Sequence, residues 1–123
     1  YLLREGEEPR RLTKDHSFVN RLIEMGQLTE QEALVHPQRN VLYRAIGQPD
    51  ELEVDVGSYA LKDGDFLFLC SDGLWNMLEE SEIWAMMSEA KEPQSICERL
   101  VDAANAAGGS DNITVVLAGV KLE

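Results

Sequence analysis

Two short polar segments interrupt otherwise apolar surroundings. Ser71-Asp72-Gly73 directly follows the run Phe66-Leu67-Phe68-Leu69-Cys70, and Ser110-Asp111-Asn112 directly precedes Ile113-Thr114-Val115-Val116-Leu117-Ala118. Each places a carboxylate at the end of a strand-like stretch. If the two strands are antiparallel neighbours, the C-terminal end of the first lies beside the start of the second, and Asp72 and Asp111 meet at one edge of a sheet. Carboxylates brought that close repel, so they either share a proton or hold a cation. Hard oxygen donors with no Cys or His beside them suit Mg²⁺ or Mn²⁺ rather than zinc. Taken singly, neither segment is specific, because Asp-Gly is a turn dipeptide and Gly-Gly-Ser-Asp-Asn is ordinary helix-to-strand loop chemistry. The pairing of the two, each against an apolar strand, carries the signal.

A metal would also answer a problem of charge. The 123 residues hold 11 Lys and Arg against 23 Asp and Glu, a net charge of −12, so a phosphoryl group bound here must be neutralised by a cation. The same imbalance, with the basic residues scattered, excludes a nucleic-acid surface. With 44% hydrophobic and 28% charged residues, the chain reads as one soluble, acidic globular domain, large enough to fold without disulfides or a structural metal. No apolar run approaches the ~18 residues of a membrane span, and no signal-like segment opens the chain, so membrane and secretory readings drop out. Cys70 and Cys97 lie in apolar patterns without CxxC spacing, which predicts buried free thiols and a reducing, cytoplasmic compartment.

The elements that must position these residues follow from periodicity. Leu2-Leu3-Arg4 and Arg11-Leu12-Thr13 read as short strands around a Gly6 loop, and the opening Tyr1-Leu2-Leu3-Arg4, without Met, reads as the end of a strand whose upstream element has been cut away. Asp15 is expected to cap a helix carrying Phe18, Leu22 and Met25, ended by Gly26. Thr29-Glu30-Gln31-Glu32 has the form of a capping box, and Pro37 limits the helix it starts. Residues 15 to 40 thus form a helical excursion of the kind that serves as a flap. Alternation at Leu52, Val54 and Val56, then Tyr59 and Leu61, predicts a strand with a bulge at Gly57. Asp63-Gly64 turns into Phe66 to Cys70, an unbroken apolar run expected to be a central strand covered on both faces. Helices are expected around Leu74, Trp75 and Leu78, after a Ser81 cap, and from Pro93, where Ile96, Leu100, Val101 and Ala104 form the apolar stripe. Trp75 and Trp84 are expected as core anchors, with Met86 and Met87 filling gaps beside them. Hairpin-linked strands with amphipathic helices predict layered α+β architecture.

Four co-linear segments then resemble a family. FLFLCSDGLW (Phe66 to Trp75) and GGSDNITVV (Gly108 to Val116) are similar to the last two signature segments of the metal-dependent serine/threonine phosphatases of the type 2C family. LTKDHS (Leu12 to Ser17) and HPQRNVLYRAIG (His36 to Gly47) look like segments that precede them in bacterial members. The resemblance implies part of a four-layer α-β-β-α sandwich with largely antiparallel sheets. It implies hydrolysis of phosphoserine and phosphothreonine in phosphoprotein substrates by a water bridging two Mn²⁺ or Mg²⁺ ions. Asp72 and Asp111 match metal-binding aspartates, Asn112 would orient Asp111 or metal waters, and residues 15 to 40 match the flap beside the active site. His36 and Arg39, on that flap, are candidate substrate contacts. His16 reads as a hydrogen-bonding partner of its loop, and Arg44, among 23 acids, as an ion-pair partner.

Family members are about twice as long, and their N-terminal half carries an acidic pair, a phosphate-contacting Arg and an Asp-Gly-x-Gly-Gly segment that this chain lacks. The expectation is therefore that residues 1–123 are the C-terminal portion of one catalytic domain, supplying half of a two-metal site, incomplete and inactive alone, with the N-terminal half as its partner. The competing reading is a non-catalytic, phosphatase-like regulatory or binding module. A phospho-accepting receiver domain would need an acidic pair after the first strand, which here ends at Arg4.

Overall fold

The apolar run Phe66 to Cys70 finds strand partners on both edges. In the computed structural model, which describes residues 1–89 and 92–123, β1 (Leu2–Leu3), β2 (Phe66–Cys70) and β3 (Val115–Gly119) form one sheet in the order β1-β2-β3. Both pairings are antiparallel, with Leu2 opposite Leu67, Phe68 opposite Leu117 and Cys70 opposite Val115. The helices in chain order are α1 (Phe18–Glu24), α2 (Glu30–Leu34), α3 (Asp72–Trp75), α4 (Glu80–Glu89) and α5 (Pro93–Ala106). The chain divides into two compact units, Tyr1–Leu12 with Tyr59–Glu123, and Thr13–Ser58.

The first unit is a helix layer on one sheet face. Phe68, Leu74, Leu78, Ile83, Ile96, Leu100 and Ala104 are its buried core, and burying a Phe or Leu there is worth roughly 1.5–3 kcal/mol each. Ile96, Leu100 and Ala104 recur at helical spacing, so α5 lays one stripe on the sheet, as its sequence predicts. Pro93 starts this helix, and Glu92 accepts from the N–H groups of Gln94 and Ser95. Trp84 joins the core through edge-on contacts with Tyr1 (centroids 5.1 Å apart) and Phe68 (5.8 Å). Trp75, by contrast, is 39% exposed and is no core anchor. The start of α4 also differs from expectation: the helix begins at Glu80, and Glu79 N–H, two residues before Ser81, donates to the Glu82 carboxylate (2.9 Å).

Beneath the turn at Asp63-Gly64, where Gly64 takes φ +84°, lies an interaction the residue pattern does not show. Asp65 is 1% exposed. Arg4 clasps it bidentately, Nε to Oδ1 at 2.8 Å and Nη2 to Oδ2 at 2.7 Å, and Lys62 N–H donates to Oδ2 at 2.7 Å. Arg4 and these donors hold the Asp65 carboxyl down at about 2 against desolvation, which pulls the other way.

Three strand expectations are corrected. The Gly6 hairpin returns as a single bridge of Leu2 with Arg10, not as a strand at Arg11 to Thr13. Residues 52–61 form no ladder, so Gly57 is no bulge; the alternation instead separates Glu53 and Asp55, which enter ion pairs, from Val54 and Val56, which are exposed. The central strand is covered on one face among the described residues, for Leu69 on the other face is 58% exposed.

In the second unit, Ser17 rather than Asp15 caps α1, its hydroxyl accepting from Asn20 N–H (3.2 Å). Gly26 follows the helix at φ +71°. The capping box of α2 is present in full: Thr29 N–H and hydroxyl donate to Glu32, and Glu32 N–H donates to Thr29 Oγ1. The chain then returns past the start of α1, with Phe18 N–H donating to Val41 O and Tyr43 N–H to His16 O. No helix among the described residues is long and apolar enough to cross a membrane.

Candidate functional site

The antiparallel pairing of β2 with β3 brings Ser71-Asp72-Gly73 and Ser110-Asp111-Asn112 to the same end of the sheet. Beyond the last ladder pair, Cys70 with Val115, the two segments stay stitched together. Ser71 N–H donates to Thr114 O (3.0 Å), Ser71 Oγ donates to Asn112 O (3.2 Å), and Thr114 N–H donates to Ser71 Oγ (3.0 Å). Ser71 sits where α3 would take its N-cap, yet its hydroxyl makes no cap bond; it is spent on the neighbouring segment instead. Gly73 sets how closely the two approach. A Cβ there would fall 2.1 Å from Asn112 O and 2.9 Å from its carbonyl carbon, backbone that cannot swing aside.

Asp72 opens α3, and both Asp72 and Asp111 are exposed. One Asp111 oxygen accepts from the backbone N–H of Asn112 at 2.7 Å, so the contact between these neighbours runs through the main chain rather than the Asn112 amide. Ser110 Oγ donates to Met77 Sδ at 3.7 Å, tying the preceding residue to the helix layer. No group of three or more His, Cys, Asp or Glu forms a metal cluster among the described residues. What the sheet end offers is two carboxylates on adjacent, interlocked turns: oxygen donors of the hard kind, open to solvent.

The remaining sequence candidates lie in the Thr13–Ser58 unit. His36 is half-buried, its Nδ1 accepting from Gln38 N–H (3.1 Å) and its ring 6.0 Å from that of Phe18. Arg39 is exposed and donates its backbone N–H to His36 O. His16 takes the loop-bonding role expected of it, Nε2 donating to Asp55 Oδ2 at 2.6 Å. Arg44 is an ion-pair residue, with Nη1 to Asp55 Oδ1 at 2.9 Å and Nη2 to Glu53 Oε2 at 2.8 Å. His16 first, then Arg44, hold the Asp55 carboxyl below its ordinary value. Sequence reasoning missed Ser71 and Gly73 as site-building residues. The signal is present in the sequence, since Ser71 and Gly73 flank the aspartate, but Asp72-Gly73 by itself spells an ordinary turn dipeptide and nothing local marks Ser71.

Comparison with known proteins gives the arrangement a family. Residues 27–121 match the family described as Stage II sporulation protein E (SpoIIE). Protein phosphatase PhpP of Streptococcus pneumoniae is 48% identical over 118 residues, covering 96% of this chain and 48% of that protein. The serine/threonine phosphatase of S. agalactiae superposes with a TM-score of 0.88 at 44% identity, over 98% of this chain and 49% of its own. The catalytic domain of the serine/threonine protein phosphatase PstP, in complex with two manganese ions, gives 0.85 at 35% identity, over 98% and 49%. The chain thus spans about half the length of the relatives it matches. With the mixed helix and antiparallel-sheet fold shared by those structures and the family match running through both aspartate segments, the chain belongs to the SpoIIE/type 2C family of phosphatase domains.

Proposed function

We propose that this chain is the C-terminal portion of a divalent-metal-dependent protein serine/threonine phosphatase, with Asp72 and Asp111 as metal ligands. The observation that carries the reading is the stitched β2–β3 end, where Ser71 and the bare Gly73 hold two exposed carboxylate turns side by side. That donor set fits Mn²⁺ or Mg²⁺, and its charge requires a cation if a phosphate is to approach. When bound, such ions supply positive charge against phosphoryl oxygens and acidify water. The chain's own residues contribute position: β2 and β3 fix the separation of the two turns, and Asn112 N–H orients the Asp111 carboxylate. Two carboxylates would leave an ion's coordination unfilled, and the remaining ligands would come from the other half of the domain. That half also supplies the second sheet of a four-layer α-β-β-α sandwich. The substrate is a phosphoprotein, and His36 and Arg39 on the flap contact it. A cytoplasmic setting is part of this reading, resting on the absence of CxxC spacing at Cys70 and Cys97.

The test is hydrolysis of an aryl phosphate by the full-length protein with Mn²⁺ and with chelator, comparing wild type to Asp72→Asn and Asp111→Asn. Metal-dependent turnover reduced by roughly 100-fold or more in each variant is expected. Folded, metal-supplied protein that shows no turnover would replace this reading with the non-catalytic binding module.

A further inference from the structure

Within the unit Thr13–Ser58 lies a cavity of about 500 Å³ with a largely charged lining. Most of those charges already satisfy one another. Lys14 Nζ meets Glu24 Oε1 at 2.5 Å, and His16 and Arg44 hold Asp55 and Glu53 as described above. Two lining side chains have no ion pair among the described residues, Arg21 and Glu51. The Arg21 guanidinium lies over the Tyr43 ring, 5.7 Å from its centroid. Among the described residues the guanidinium makes this ring contact and no side-chain hydrogen bond, so its N–H fork is open to a bidentate oxyanion. Nothing in the metal-site reading uses this residue.

We infer that the cavity is a docking site for a mixed-charge peptide segment of a partner protein, with an acidic side chain held by Arg21 on its Tyr43 shelf and a basic neighbour held by Glu51. The charge balance favours such a segment over a free anion. The lining sets Lys14, Arg21 and Arg44 against Glu24, Glu51, Glu53 and Asp55, so the cavity has no net positive field to draw in inorganic phosphate. One cation and one carboxylate without an ion pair among the described residues, Arg21 and Glu51, instead complement a dipolar ligand.

The test uses full-length protein stripped of metal with chelator, and unphosphorylated fluorescent peptides carrying Glu-Lys, Glu-Glu or Lys-Lys at their centre. Because neither metal nor phosphate ester is present, its outcome is independent of the phosphatase reading. The Glu-Lys peptide should bind tightest, and millimolar inorganic phosphate should not displace it. Arg21→Gln should weaken it by roughly tenfold or more, Arg21→Lys by less, and Glu51→Gln should erase the preference over Glu-Glu. Arg21 is exposed on α1, and circular dichroism would verify that its variants fold. Equal affinity in Arg21→Gln, absence of peptide binding by folded protein, or displacement by phosphate would each overturn the proposal.

Discussion

Asp65 keeps its charge in a place nearly closed to water, and the reason is local and specific. Arg4 grips both oxygens and Lys62 N–H adds a third donor, holding the group at about 2 rather than its ordinary 3.8. A carboxyl whose folded value lies below its unfolded one stabilises the fold above the unfolded value, and that contribution is lost as pH falls through the folded one. Urea midpoints for wild type and Asp65→Asn should therefore differ by a constant amount from neutral pH down to about pH 5, then converge as pH falls from about 4 toward 2. A gap that ignores pH would mean that Asp65 acts by packing alone. Gly73 makes a different kind of demand. Since its Cβ would meet Asn112 backbone at 2.1 Å, Gly73→Ala must push apart the turns carrying Asp72 and Asp111, at a cost of about 1–3 kcal/mol. Thermal unfolding would read that loss. Isothermal titration with Mn²⁺ on the full-length protein should show weaker binding in the same variant, although no ligand atom has been removed.

Helix α2 is five residues long and cannot hold itself by length, so its capping box matters more than in a longer helix. Thr29→Ala removes the hydroxyl that accepts from Glu32 N–H and donates to the Glu32 carboxylate, leaving only the backbone N–H bond from residue 29, and should cost about 1 kcal/mol. Amide exchange over residues 30–34 should then speed up roughly fivefold, with the β2 and α5 amides unchanged. Glu32 is held below its ordinary value by the Thr29 N–H and then the Thr29 hydroxyl, so the same box weakens as acid protonates Glu32. This box was legible in the sequence because capping is written within four residues. So were β2, β3 and the Pro93-started α5, whose apolar content and end signals are local. What could not be read was set by distant partners. Residues 52–61 have the alternation of a strand, but a ladder needs an edge to pair with, and here Arg44 and His16 claim Glu53 and Asp55 through side chains. Ser17 displaces Asp15 as cap because the returning chain pairs with residues 16–18 and fixes where the helix can begin. The Arg4–Asp65 clasp joins residues 61 apart in sequence, and no pattern announces it. The site divides in the same way: the two aspartates stand out as carboxylates after and before apolar strands, whereas Ser71 as a stitch appears only once β2 and β3 are paired.

The sheet as a whole has one finished face and one open one. Phe68, Leu117, Cys70 and Val115 face the helices, while Leu69 and Val116, opposite each other across β2 and β3, are 58% and 50% exposed. Apolar residues on both faces are the composition of a strand buried on both sides, and this chain spans about half the length of its relatives. The open face is therefore expected to be covered in the full-length protein, and Leu69→Lys separates the two situations. In the full-length protein, a Lys forced into that contact should cost about 2–4 kcal/mol, because an unpaired charge loses its water. In the 123-residue chain the same Lys stands in solvent, so stability should change by less than about 0.5 kcal/mol while self-association falls, as light scattering would report. Phe68→Ala provides the control. It lies on the helix side, 1% exposed, and should cost about 3–5 kcal/mol in both. If Leu69→Lys leaves the full-length protein's melting temperature where it was while Phe68→Ala lowers it, the open face is not where the rest of the domain packs.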